Sequence, residues 1–267
     1  MRIRSALAVC LLVAAACARG AEDPYPWIAA SYLVKRDGQL LWAGQPEARR
    51  PPASLAKLMT ALLAIEKGGL DQVAVVSRAA ASRTGARIGL RAGERLRAAD
   101  LLAATVVRSA NDACRALAEH VGGNVAAFVA RMNGRAAELG LRDTKFLDPC
   151  GHDREGQYST AADLARLAEE VAKHEDYLRL AGAERLTIRT ADGARSFPLR
   201  NTNALIGRYP GAIGLKSGYT DAAGRCVVAL AERNGVRVLV VMLGAPNRWW
   251  NTHGLLDRAF AAPAPAR

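Results

Sequence analysis

No CxxC pair and no cysteine–histidine cluster occurs in the 267 residues, so the usual signatures of a zinc site or a dithiol redox centre are missing. No dense lysine and arginine run interleaved with aromatics is present either, which leaves nucleic acid as the least supported partner. There is no internal repeat, and the apolar run from Ala6 to Cys17 is too short to span a bilayer as a helix. What is present is an ordinary globular composition, 51% hydrophobic and 23% charged, enough for one large or two small domains with a buried core.

Residues 1–20 form a separate class of sequence. Arg2 and Arg4 precede the apolar run, and the small residues Ala18 and Gly20 close it, the order of a secretory signal peptide cut near Gly20. Acylation at Cys17 is the weaker alternative, because "VAAAC" lacks the leucine usual before a lipidated cysteine. Export leaves Cys114, Cys150 and Cys226, an odd count that allows at most one internal bridge and leaves a thiol over. The formal charge of +12 falls to +9 when Arg2, Arg4 and Arg19 leave with the leader. Such a surplus favours anionic surroundings, phospholipid or an acidic wall polymer among them.

Along the chain, "WIAASYLVKRDGQLLWAG" predicts two strands around an Asp37-Gly38 hairpin turn. A long middle section has helical spacing in "RAADLLAATVVR", "DACRALAEHV", "VAAFVARMNGRAAELGL" and "STAADLARLAEEVAKH", the last with Ser159 or Thr160 as its N-cap. Strands return in "AIGLKSG", "RCVVALAER" and "VRVLVVMLG", the last two joined by Asn234-Gly235. The order of strands, helices, strands predicts an antiparallel sheet built from both chain ends with a helical lobe between them. The closing "FAAPAPAR" reads as a tail with nothing to bury.

"PPASLAKLMTAL" places Ser54 and Lys57 three residues apart at the mouth of a predicted helix, on one face of it. A serine hydroxyl becomes a nucleophile when a neighbour takes its proton, and a neutral lysine amine can do so. Lys57 would then have to titrate well below its free value of about 10.4, through burial or a second nearby cation. Alone, SxxK is a weak pattern, since serine often caps helices and lysine is usually solvated. "RSANDA" adds Ser109 and Asn111 between helical runs, and "GLKSGYTDAAG" adds Lys216, Ser217 and Gly218 on a predicted strand. The order SxxK, SxN, K[ST]G is the signature of penicillin-recognising serine enzymes.

With these motifs, and with "KFLDPCGHD", "LRNTNALIG" and "VVMLGAP", the sequence from Trp27 to Phe260 resembles the low-molecular-mass penicillin-binding proteins that act as D-alanyl-D-alanine carboxypeptidases. The resemblance implies an α/β, serine transpeptidase-like fold: an antiparallel sheet flanked by helices, an all-helical lobe, and the site between them. It implies Ser54 as nucleophile, Lys57 as general base and Ser109 as proton relay to the leaving amine. Asn111 would hold the substrate peptide, Lys216 would add positive charge and help keep Lys57 neutral, and Ser217 would contact the terminal carboxylate. Gly218 would let substrate backbone lie close, and the amides of Ser54 and Tyr219 would form the oxyanion hole. No metal or cofactor is needed. The partners implied are peptidoglycan stem peptides, with β-lactams as covalent inhibitors, and the place is the periplasm.

Three positions depart from the common pattern: Ser217 replaces threonine, Cys150 stands where histidine or threonine is frequent, and Thr202 stands where many members carry arginine near the substrate carboxylate. Many relatives also continue into a β-rich second domain and an amphipathic membrane helix, so at most peripheral membrane contact is expected here. The organisation expected is a leader over 1–20, a catalytic domain over 21–262 and a tail over 263–267. An endopeptidase cutting cross-links is the main alternative. A class A β-lactamase would share the motifs but needs a water-activating glutamate, and no E-x-x-L-N stretch lies between Ser109 and Lys216. A non-catalytic wall-binding module would have no use for Ser54, Lys57 and Lys216 together.

Overall fold

The predicted order of strands, helices and strands is the order found in the computed structural model, which describes residues 23–263. The expected leader and residues 264–267 lie outside the described residues. In chain order come β1 (Ser31–Arg36), β2 (Gln39–Gly44), a 3-10 turn (Ala53–Ala56), α1 (Lys57–Lys67), β3 (Val73–Val75), α2 (Arg78–Ala81) and β4 (Arg95–Arg97). Four helices of the middle section follow: α3 (Ala98–Val107), α4 (Asn111–Gly122), α5 (Val125–Glu138) and α6 (Ala161–Val171). The chain then runs through α7 (Glu175–Gly182), β5 (Arg185–Arg189), β6 (Ser196–Arg200), β7 (Ala212–Thr220), β8 (Gly224–Arg233), β9 (Val236–Leu243) and α8 (Arg248–Ala261).

Five strands pair in the order β2-β1-β9-β8-β7, every pair antiparallel, so the first and last parts of the described chain meet at β1 and β9. Both hairpin turns have two residues at positive φ, Asp37 and Gly38 in one, Asn234 and Gly235 in the other, as a type I′ turn requires. The sheet is covered on both faces. Val228, Leu230, Val241, Leu243 and Leu33 pack into the cluster shared with the helical lobe, while Val227, Ala229, Val240, Met242, Tyr32 and Val34 pack with Leu255 and Leu256 of α8. That double burial is why β8 and β9 read as nearly unbroken apolar runs rather than alternating ones. Two small two-stranded sheets, β3 with β4 and β5 with β6, were not anticipated from the sequence.

The expectation that "FAAPAPAR" has nothing to bury needs correcting at its first residues. Phe260 and Ala261 close α8, and Phe260 packs against the outer cluster with the Arg233 guanidinium 4.7 Å from its ring centroid. At α6 the choice between two caps resolves to Thr160, whose hydroxyl accepts from the Asp163 amide at 3.0 Å. Thr160→Ala removes that acceptor and is expected to cost about 1 kcal/mol, lowering the melting temperature by about 2–4 °C in calorimetry. Thr160→Ser should keep it.

Candidate active site

Ser54 lies inside the 3-10 turn and Lys57 opens α1, so the two do not share one α-helix as the sequence suggested. The tighter winding eclipses positions i and i+3, and it brings Lys57 Nζ to 2.9 Å from Ser54 Oγ. Lys57 is 1% exposed. Its amine donates to Asn111 Oδ1 at 2.8 Å and to the Cys150 carbonyl at 2.6 Å. Burial lowers its pKa to about 7; Arg83 pushes the same way and Asp148 opposes.

Each acceptor is fixed from outside. Asn111 begins α4, and its amide nitrogen donates to the Thr84 carbonyl at 2.7 Å, which leaves its oxygen for Lys57. The next residue, Asp112, is fully buried and accepts from the amides of Gly89 and Leu90 at 2.9 and 3.0 Å, tying that loop to the start of α4. Cys150 belongs to the "KFLDPCGHD" loop, whose amides at Leu147 and Asp148 donate to Gln157 Oε1. Thr60 of α1 donates to the Pro149 carbonyl at 2.6 Å. Burial opposes the charge of Asp148, but the bond and charge of His152, Arg83 and the Cys150 amide outweigh it and hold the carboxyl below the usual range.

Cys150 also explains the odd cysteine count. It is bridged to Cys114, one turn into α4, with the two Cα atoms 5.9 Å apart, so the residue that replaces histidine or threonine is half of a disulfide. Cys226 is left as the free thiol, and burial pushes it up to about 11, which keeps it protonated and inert at neutral pH.

The other motif residues form the opposite wall. Lys216 on β7 donates to Ser109 Oγ at 2.8 Å and to its neighbour's carbonyl at 2.7 Å. Burial holds its amine well below the ordinary lysine value, with the charges of Lys57 and Arg248 adding to the effect. Ser109, at positive φ between α3 and α4, is held on a bend rather than in a helix. Ser217 Oγ lies 3.4 Å from Thr202 Oγ1. Gly218 meets the 3-10 turn directly: a Cβ there would lie 2.8 Å from the Ser54 amide nitrogen. The Tyr219 side chain is 59% exposed and turned to Asp221, so only its backbone could serve the site.

Ser54, Lys57, Asn111 and Gly218 thus meet at the seam between lobe and sheet, and Ser109 and Lys216 pair across it; Ser217 is bonded to Thr202, and the Tyr219 side chain lies outside. Sequence reasoning missed Arg83, Asp148, His152 and Arg248, whose guanidinium donates to the Gly218 carbonyl at 2.6 Å. Asp148 and His152 lay in a stretch already marked as unusual; Arg83 and Arg248 have no local pattern that points to them.

Among the described residues no group of three or more His, Cys, Asp or Glu side chains could hold a metal ion. The peptidase S11 family, described as D-alanyl-D-alanine carboxypeptidase, matches residues 23–247. The chain belongs to this family. It is 39% identical to D-alanyl-D-alanine carboxypeptidase DacF of Bacillus subtilis over 86% of this chain and 61% of that protein, so it spans about three fifths of that relative's length. It is 30% identical to a D-alanyl-D-alanine endopeptidase of Escherichia coli over 78% of this chain and 67% of that protein. The crystal structure of a D-alanyl-D-alanine carboxypeptidase from Mycobacterium tuberculosis superposes with a TM-score of 0.83 at 31% identity, covering 89% of this chain and 93% of that one. The shared fold is that of the penicillin-recognising serine peptidases, as the motif order implied.

The tight seam at Gly218 gives a direct test. In Gly218→Ala a methyl group would press on Ser54 and on Ala53 Cβ, 3.0 Å away. Strand and turn would have to part, at an expected cost of about 1–3 kcal/mol measured by urea unfolding.

Proposed function

We propose that this protein is a serine-type D-alanyl-D-alanine carboxypeptidase that removes the terminal D-alanine from peptidoglycan stem pentapeptides through an acyl-enzyme on Ser54. One observation carries the reading. A neutral lysine amine has two N–H bonds and one lone pair; Asn111 Oδ1 and the Cys150 carbonyl take both N–H bonds, which leaves the lone pair for the Ser54 hydroxyl at 2.9 Å. With its pKa near 7, the amine is neutral for a large fraction of the time at physiological pH.

Ser54 Oγ attacks the carbonyl of the penultimate D-alanine while its proton moves to Lys57. The developing oxyanion is received by the backbone amides of Ser54 and Tyr219, which the close approach of Gly218 to the turn holds near each other. Ser109, bonded to Lys216, passes a proton to the leaving amine. Asn111 aligns the peptide, Ser217 meets the terminal carboxylate, and water then releases the acyl group. Penicillin would be captured by the same serine.

An endopeptidase reading has one observation in its favour: the neighbour of Ser217 is the short, neutral Thr202 rather than a cation. Residues 21–262 would form the catalytic domain behind the leader of residues 1–20. The Cys114–Cys150 bridge supports an oxidising, periplasmic setting. Among the described residues no helix is long and apolar enough to cross a membrane.

The acylation rate by a fluorescent penicillin should rise with pH through a midpoint near 7, because the neutral amine accumulates as pH passes the Lys57 pKa. A rate that is flat from pH 5.5 to 9 would refute Lys57 as base. Lys57→Arg should abolish the adduct although it keeps the charge, since guanidinium does not deprotonate, and Lys216→Arg should reduce it less. Intact mass should show no adduct on Ser54→Ala.

Products decide which bond is cut. Mass spectrometry of reactions with purified pentapeptide muropeptides should show release of free D-alanine. If cross-linked dimers are split while pentapeptides persist, the endopeptidase reading replaces the first.

A further inference from the structure

We propose that the Cys114–Cys150 disulfide is a positioning clamp for Lys57, so that acylation of Ser54 depends on the oxidation state of these two sulfurs. The proposal rests on the peptidase reading above. The two acceptors of the Lys57 amine belong to segments far apart in sequence, Asn111 at the start of α4 and the Cys150 carbonyl in the loop. Cys114 stands three residues after Asn111, on the same face of the helix. The bridge, spanning 36 residues, therefore joins covalently the two segments whose oxygens hold the amine.

The other ties of this loop are weaker or lead elsewhere. Gln157 braces the loop on itself, and Thr60 ties Pro149 to α1. Towards α4 there is otherwise the His152 Nε2 contact with Asn111 Nδ2 at 3.2 Å and a long Cys150 Sγ contact with the Asn111 carbonyl at 3.8 Å. Without the bridge the Cys150 carbonyl can drift from α4, water can reach the amine, and Lys57 loses both an acceptor and its burial. The charged and titratable groups around it, Asp148 and His152 of the loop, Arg83, and Lys216 of β7, would stay. Loss of burial moves the Lys57 midpoint upward, toward the ordinary lysine value, because burial is the main cause of its depression.

Both sulfurs are buried, at 0% and 1% exposure, so the bridge resists reduction while the loop is closed. Reduction takes two electrons and two protons from a dithiol such as dithiothreitol, which becomes a cyclic disulfide as Cys114 and Cys150 become thiols. Cys226 is buried and protonated, and it is no ready partner for exchange.

The test compares the oxidised protein, the protein reduced with dithiothreitol and verified by thiol counting, and the variant Cys114→Ala/Cys150→Ala. The rate of Ser54 acylation by a fluorescent penicillin is followed from pH 5.5 to 9. Reduction and the double variant should each slow acylation about tenfold at pH 7. They should shift the pH midpoint upward, and the deficit should shrink by pH 9. A purely structural bridge would lower the melting temperature and leave rate and midpoint within twofold, which would overturn the proposal. If the double variant does not fold, the reduced protein and Cys150→Ser, each checked by near-ultraviolet circular dichroism, carry the same comparison. Absence of any adduct on the oxidised protein would instead sink the peptidase reading itself.

Discussion

Burying one lysine amine beside a serine is the constraint on which the rest of this structure turns. A charged ammonium taken out of water costs several kcal/mol even after relaxation, so the site is stable only if the amine sheds its proton or finds partners for every N–H. Lys57 does both: burial lowers its pKa, and Asn111 and the Cys150 carbonyl take its donors. Neither solution works with mobile partners. The fixed bend at Ser109, the buried carboxylate of Asp112 against the Gly89 and Leu90 amides, and the Gln157 brace under the loop are all ways of denying those partners freedom.

Lys216 obeys the same rule on the other wall. It is 2% exposed and rests on Ser109 and the Ser217 carbonyl, with no carboxylate bonded to it. An acid placed there would have made a stronger structural pair and would have held the lysine charged. Its absence leaves the seam short of negative charge, lined by Lys57, Lys216 and Arg248.

Much of this was legible in the sequence because the information is local. Asp37-Gly38 and Asn234-Gly235 announce their turns through the positive φ both positions need, and β8 and β9 announce burial on two faces through unbroken Val and Leu. The three motifs named Ser54, Lys57, Ser109, Asn111, Lys216 and Gly218, which the structure links directly to one another. What stayed hidden was non-local or too short to carry a period. The three-residue strands β3 and β4 give no alternation to read, and the pairing of Cys114 with Cys150 depends on how α4 meets a loop 36 residues away. Arg83 and Arg248 matter only through their positions in space. The 3-10 winding at Ser54 was missed because the composition of "ASLA" suits an α-helix equally well.

Sheet register is what turns a packed fold into a site. Lys216 pairs with Val228 and Gly218 with Cys226, and both partners face the helical lobe, so Lys216 and Gly218 face it too. A slip of one residue would present Ser217 and Tyr219 to the lobe instead, removing the lysine and driving a tyrosine into the Ser54 turn. Two features guard against that slip. The irregularity between Ala212 and Gly214 fixes where the ladder with β8 begins, and Gly214 faces Ala181 of α7 so closely that a Cβ would lie 2.7 Å from the alanine methyl. Farther along, the buried faces of β8 and β9 would trade core for solvent if the strands slid, a loss of many apolar side chains at about 1.5–3 kcal/mol each. The hydrophobic pattern of β8 and β9, which carry no motif residue themselves, is therefore what keeps Lys216 pointed at the seam.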